Sequence, residues 1–159
     1  MISFEEEMSR ICKKCGGRCC VDAHPPLTVE RKSLIGDAIG YDSFHEMAGY
    51  RRIRAREDGS CVFLHEGKCS INGIKPETCK AGPFTFAVNG SRIEIYLKKE
   101  TICPLVSFLT SNRDAYRGQF ECAVDSIKGL VRNLPKDELE AINRIEEPET
   151  IKIAEIQLD

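Results

Sequence analysis

Apolar residues recur at helical spacing near the start of this chain. Phe4, Met8 and Ile11 stand at i, i+4 and i+7, and Cys15 extends the same face. The pattern predicts an amphipathic helix over residues 3–11 that delivers the first cysteines onto the core. Gly16-Gly17 must end it, because two glycines are costly in a helix interior. After Pro25-Pro26, Thr28 is a suitable N-cap for a helix through about Ile39. Ser43-Phe44-His45-Glu46 has the form of a capping box and predicts a short second helix.

Residues 50–72 break into short strand-like pieces with turns at Asp58-Gly59 and Glu66-Gly67. Pro76 opens what reads as a short helical turn. Residues 84–97 predict a hairpin: Phe84 to Val88, a turn at Asn89-Gly90, then Arg92 to Leu97. Further on, Tyr116, Phe120, Ala123, Val124, Ile127, Leu130 and Val131 share one face of a helix spanning about 112–132. Pro135 opens another short helix. The last dozen residues are acidic with interspersed isoleucines and fit either a docked tail or a frayed one.

These elements fit one domain of 159 residues, with 42% hydrophobic and 30% charged residues. A chain this long can bury a core, so metal would add to the core rather than replace it. The net charge of −2 gives no global pull toward nucleic acid or an anionic membrane. No apolar run approaches the roughly 18 residues of a membrane span. The acidic opening from Met1 to Glu7 lacks the basic and apolar regions of a signal peptide. The expected location is cytoplasmic, where thiols stay reduced.

The chemistry lies in the cysteines. Eight of the nine fall into a pattern: Cys12-x2-Cys15-x3-Cys19-Cys20, then Cys61, Cys69, Cys79 and Cys103. Close thiol spacing in a reducing compartment points to metal ligation rather than disulfides, and an odd total leaves one thiol apart in any case. Four plus four ligands suits two tetrahedral thiolate sites or two iron–sulfur clusters. Lys13, Lys14 and Arg18 stand beside the first group and are expected to lower the thiol pKa values. The Cys19-Cys20 pair, if extended, would point its side chains in opposite directions. It would then feed two neighbouring centres or leave one thiol spare. Cys61 and Cys69 flank a tight turn, Cys79 follows Pro76, and Cys103 arrives after the second hairpin strand, with Pro104 limiting its freedom.

These residues resemble the YkgJ-like cysteine-cluster family (CxxCxxxCC), named for suspected zinc or iron chelation. The resemblance runs from about residue 10 to 105. It rests on Cys12-x2-Cys15-x3-Cys19-Cys20, Cys61-Val62-Phe63-Leu64, Cys69-Ser70-Ile71, Lys75-Pro76-Glu77-Thr78-Cys79-Lys80 and Cys103-Pro104. It implies a metal-binding domain of iron–sulfur type. One branch of the family resembles enzymes that methylate flagellin lysines, but that branch carries much sequence absent here.

Other candidates have plainer readings. Cys122 lies off the apolar stripe of its helix and reads as an ordinary surface thiol, outside the metal set. His24 and His45 lack ligand spacing, and His65 reads as an exposed turn residue. The run Tyr50-Arg51-Arg52-Ile53-Arg54-Ala55-Arg56 could bind an anion or RNA, but reads first as the solvated face of a strand, neutralised by Glu57 and Asp58. No hydrolase motif is present.

The expected fold is therefore small α+β: a single domain, 1–159, of helices around a cysteine-rich hairpin region stapled by metal. Residues 10–105 form the metal-binding core, and 106–159 a helical C-terminal extension. The expected ligands are Cys12, Cys15, Cys19, Cys20, Cys61, Cys69, Cys79 and Cys103. The expected cofactor is an iron–sulfur cluster or iron, with zinc as the alternative. The expected role is electron transfer or accessory redox work with a protein partner. The other readings are a structural zinc scaffold for a partner and a metal-dependent modifying enzyme of the lysine-methylation kind.

Overall fold

A computed structural model describes residues 3–21, 23–144 and 149–158. Met1 and Ile2 of the acidic opening, and residues 148 and 159 of the tail, lie outside the described residues. The first helix, α1 (Phe4–Cys15), runs one turn past the apolar stripe, so that Cys12 and Cys15 fall on its last turn. Ser3 caps it reciprocally. Its hydroxyl accepts from the Glu6 amide at 3.1 Å, while the Glu6 carboxylate accepts from the Ser3 amide at 3.1 Å. Gly16, left-handed at φ 80°, ends the helix as expected, and its amide donates to the Lys13 carbonyl. A single 3-10 turn, Arg18–Cys20, follows directly.

Helix α2 (Val29–Ile39) starts at Thr28, whose hydroxyl accepts from the Arg31 amide at 3.0 Å. The next segment departs from the expectation. Ser43 to Glu46 opens no helix, and Phe44–Met47 forms strand β1, paired antiparallel with β2 (Tyr50–Ile53). Ala48 and Gly49, at φ 58° and 95°, make the two-residue turn between them. Pairing buries Phe44 opposite Ile53, which a four-residue capping signal cannot outweigh. The short ribbon β3 (Leu64–His65) and β4 (Lys68–Cys69) follows, and then α3 (Glu77–Ala81).

The hairpin β5 (Phe84–Asn89) and β6 (Arg92–Lys98) forms as predicted. Helix α4 (Leu105–Ser111) was not anticipated. Helix α5 (Arg113–Asn133) corresponds to the predicted long helix, and α6 (Lys136–Asn143) follows Pro135. The tail is docked: β7 (Thr150–Gln157) pairs antiparallel with β6 to give the sheet order β5-β6-β7.

Three clusters make the core. The largest packs the sheet residues Phe84, Ile93 and Ile95 against Ala123, Ile127 and Val131 of α5. A second gathers Leu27, Ile35, Phe44, Ile53, Phe63 and Ile71, with Cys61 and Cys69 packed on its edge. The third joins Leu105, Leu109 and Ala115 to Met8 and Ile11 of α1, with Cys103 beside them. Small sheets plus helices give the α+β class. Among the described residues, no helix is long and apolar enough to cross a membrane.

Candidate metal centre

All nine cysteines are free thiols. Six segments carry the eight of interest. They are the end of α1, the 3-10 turn, the loop before β3, strand β4, helix α3 and the loop before α4. Backbone contacts draw these segments together. The Cys61 amide donates to the Cys20 carbonyl at 2.7 Å, and Val21 bridges to Ser60. Leu64 pairs with Cys69, and its amide donates to the Cys61 carbonyl at 3.0 Å. Two glycines permit the close approach. A Cβ on Gly17, at φ 76°, would stand 2.6 Å from Leu64 Cδ1, and one on Gly67, also at φ 76°, 3.1 Å from the Lys13 carbonyl.

Each cysteine-bearing loop has its own polar support. Asp58 Oδ1 accepts from the Ser60 amide at 2.9 Å and from its hydroxyl at 2.6 Å, closing the turn before Cys61. Arg56 donates to the carbonyls of Val62 at 3.0 Å and Leu64 at 2.7 Å, on the far side of Cys61. Helix α3, with Cys79, is held at both ends. Arg31 pairs with Glu77 at 2.9 Å and donates to the Ile74 carbonyl at 3.2 Å. Gln119 of α5 donates to the carbonyls of Lys80 at 2.9 Å and Gly82 at 2.7 Å. Only the Asp58 turn is local; the other supports join residues distant in sequence or rely on a carbonyl.

The thiols sense one another. Burial first, then Cys19, Cys103 and Cys15, push the Cys12 thiol up to about 11, against a downward pull from Lys75. Cys79 reaches the surface, but the protein packed around its sulfur, then Cys69 and Cys61, push it up to about 12. Cys61 is raised mainly by burial and by Cys69, although the amides of Phe63 and Leu64 and the Arg56 charge favour its thiolate. Cys103 is likewise raised by burial, with the Leu105 amide and Lys98 opposing.

Cys19 and Cys20 share a hydrogen bond between thiols. It is the leading cause that takes Cys19 down to about 6, helped by Lys98 and Lys75, and that drives Cys20 up. The 3-10 turn corrects the extended-backbone expectation for this pair. At three residues per turn, successive side chains stand about 120° apart rather than on opposite faces.

The cations differ from those expected too. Those that favour the thiolates are Lys75, before α3, and Lys98, at the end of β6, together with Arg56 at Cys61. Lys13, Lys14 and Arg18, the expected cations, are not among them.

The remaining candidates fall largely where expected. Cys122 is exposed on α5. His65 is exposed on β3, while His45 stands half-buried on β1. The basic run is a solvated face only at Arg54 and Arg56, which are exposed. Arg51 forms a two-pronged pair with the buried Glu138 of α6, at 3.1 and 3.0 Å, and buried Arg52 lies over the Tyr50 ring.

The donor set suits zinc or iron, because all eight side chains are soft sulfurs, and Lys75, Lys98 or Arg56 favours the thiolate at several of them. As the side chains stand, they are gathered but not closed. Among the described residues, no three His, Cys, Asp or Glu side chains converge to metal-holding geometry.

Fold and site together define a cysteine-cluster domain of the chelating type. The chain belongs to the CxxCxxCC family, described as "Putative zinc- or iron-chelating domain", whose model matches residues 11–108. The match takes in all eight clustered cysteines and excludes Cys122. No curated protein and no solved structure matches the chain.

Proposed function

We propose that the clustered thiolates hold iron, as an iron–sulfur or iron-thiolate centre, and that the protein serves an electron-transfer or accessory redox role. The observation that carries this reading is that eight thiols from six segments lie near enough to act on one another's charge. Eight sulfurs exceed the need of one structural ion.

Cys12, Cys15, Cys19, Cys20, Cys61, Cys69, Cys79 and Cys103 would hold the metal, which when bound would supply one-electron chemistry. The chain's own charges offset part of the cost that burial places on deprotonated sulfur. Lys75 and Lys98 offset the charge of several thiolates, and the nearby backbone of Phe63, Leu64 and Leu105 opposes the rise at Cys61 and Cys103. Exposure of the Cys12, Cys19 and Cys79 residues supports the redox role, since a partner protein can approach the segments that carry them.

The second reading is a structural zinc module that scaffolds a partner. The all-thiolate donor set favours it as readily, and the family description names zinc beside iron. Metal analysis with an absorption spectrum, on protein purified without oxygen, separates the two. Iron with acid-labile sulfide and sulfur-to-iron absorption near about 400 nm supports the redox reading. Colourless protein that stays colourless, holds zinc and takes up no iron and sulfide on reconstitution rejects it for the scaffold.

A further inference from the structure

The arginines on and after β2 are of two kinds. Arg51 is taken by Glu138, and Arg56 by the carbonyls of Val62 and Leu64. Arg52 and Arg54 form no ion pair among the described residues. For the exposed Arg54 that is ordinary. For Arg52 it is not. That residue is only 8% exposed, and its Nε is enclosed without a hydrogen-bond partner. A buried charge is ordinarily matched by an opposite one, because it has given up its hydration. The guanidinium carbon lies 5.4 Å from the centre of the Tyr50 ring, and this neutral partner supplies only part of the compensation.

Strand register shows what stands beside it. His45 of β1 is opposite Arg52 of β2, and Phe44 is opposite Ile53. Opposed residues share a face of a sheet, as do residues two apart on one strand, so His45, Arg52 and Arg54 lie on the same side. The Arg54 amide donates to the Ser43 carbonyl at 2.8 Å, which carries the pairing one step further and sets Ser43 opposite Arg54. Ser43 and His45 are half-buried. Glu46, the acidic residue of β1, belongs with Arg51 on the other face. Burial, then the charges of Arg54 and Arg52, hold the His45 imidazole below its ordinary range, so both guanidinium groups act on it.

We infer that Ser43, His45, Arg52 and Arg54 form a binding site for a small phosphate group, either inorganic phosphate or a phosphate monoester. Two forked guanidinium groups, an imidazole and a hydroxyl offer donors from both strands, and a tetrahedral, doubly charged oxyanion engages more of them than a planar carboxylate does. An extended nucleic acid fits less well, because Arg51 and Arg56 are committed within the protein and the chain carries a net charge of −2. The Arg54 carbonyl accepts from the Val62 amide at 3.3 Å, and Ala55 bridges to Cys61. The site thus borders one segment of the metal centre, contains none of its candidate ligands and does not depend on the metal-binding reading.

The test is calorimetric titration of the full chain with inorganic phosphate and with phenyl phosphate, in chloride buffer at constant ionic strength. One equivalent should bind saturably, and acetate should bind more weakly than either. Arg54→Gln, at an exposed position, should weaken binding at least about tenfold. Arg117→Gln, which changes an exposed arginine on α5, should leave it unchanged. Arg52→Lys keeps the charge, loses the fork and should also weaken binding; where circular dichroism shows that it does not fold, Arg54→Gln and His45→Ala carry the test. Tighter binding of phenyl phosphate assigns the site to an organic monoester, and equal or weaker binding to the inorganic ion. No saturable binding, undiminished affinity in Arg54→Gln, acetate bound as tightly as phosphate, or a single-stranded oligonucleotide bound more tightly than phenyl phosphate would overturn the inference, and each would leave the metal centre untouched.

Discussion

Cys19 is set apart from the other thiols by its neighbour. The bond from Cys20, then the charges of Lys98 and Lys75, hold it near 6, so at neutral pH it carries the reactive thiolate while Cys12 and Cys79 stay protonated. In metal-free protein at pH 7, iodoacetamide should therefore modify Cys19 well ahead of Cys12 and Cys79, although all three are exposed. Cys20→Ala, which removes the donor, should slow that reaction severalfold. Peptide mass mapping over a time course checks both statements, and equal rates at the three cysteines would contradict them. The ligand candidates were legible in the sequence because short spacings such as Cys12-x2-Cys15 carry their own signal. Lys75 and Lys98 were not: they reach the thiols through the fold, and only Lys13, Lys14 and Arg18 were adjacent in the chain.

Among the α-helices, α3 is the shortest that carries a candidate ligand, and five residues cannot sustain a helix alone. Gln119 compensates by donating to two carbonyls at its end. Gln119→Ala should cost about 1–3 kcal/mol, because those carbonyls lose their donor in a part-buried setting. Urea unfolding measures the cost, and faster hydrogen exchange confined to α3 would localise it. Helices with a cap or a clear stripe, α1, α2 and α5, could be read directly from the sequence. The misreadings have local causes. At β1, the Ser43–Glu46 capping signal was overridden by the Ala48-Gly49 turn and the burial of Phe44 against Ile53. At α4, the run Leu105-Val106-Ser107-Phe108-Leu109 is too short to show a period. At β7, alternation is disturbed by the irregular register between Ile95 and Tyr96, so the strand's inward residues, Ala154 and Ile156, were hidden among charges.

For the whole molecule, the gathered thiols make stability depend on pH and metal together. Cys12, Cys61, Cys79 and Cys103 have folded pKa values above the ordinary thiol value. The metal-free fold thus binds more protons than the unfolded chain between that ordinary value, about 8.5, and the raised ones. Stability contributed by these groups is fully present below about pH 8.5 and is lost as pH rises through the raised values. Cys19, shifted the other way, contributes above the ordinary range and loses its contribution as pH falls through about 6. The metal-free protein should therefore melt at a lower temperature at pH 10 than at pH 8. Metal-loaded protein should show much less decline, since the bound cation favours the thiolates. Thermal melts of both forms across that interval provide the check, and a metal-free melting temperature unchanged over it would contradict the account.

The central claim is that the clustered thiolates, and not Cys122, hold metal. Elemental analysis of metal per chain, on protein purified without oxygen, tests it most directly when the full chain is compared with Cys79→Ser and Cys122→Ser. The account predicts equal metal in the full chain and in Cys122→Ser, and a clear loss of metal together with a lower unfolding midpoint in Cys79→Ser. Undiminished metal in Cys79→Ser, or loss of metal in Cys122→Ser, would contradict it.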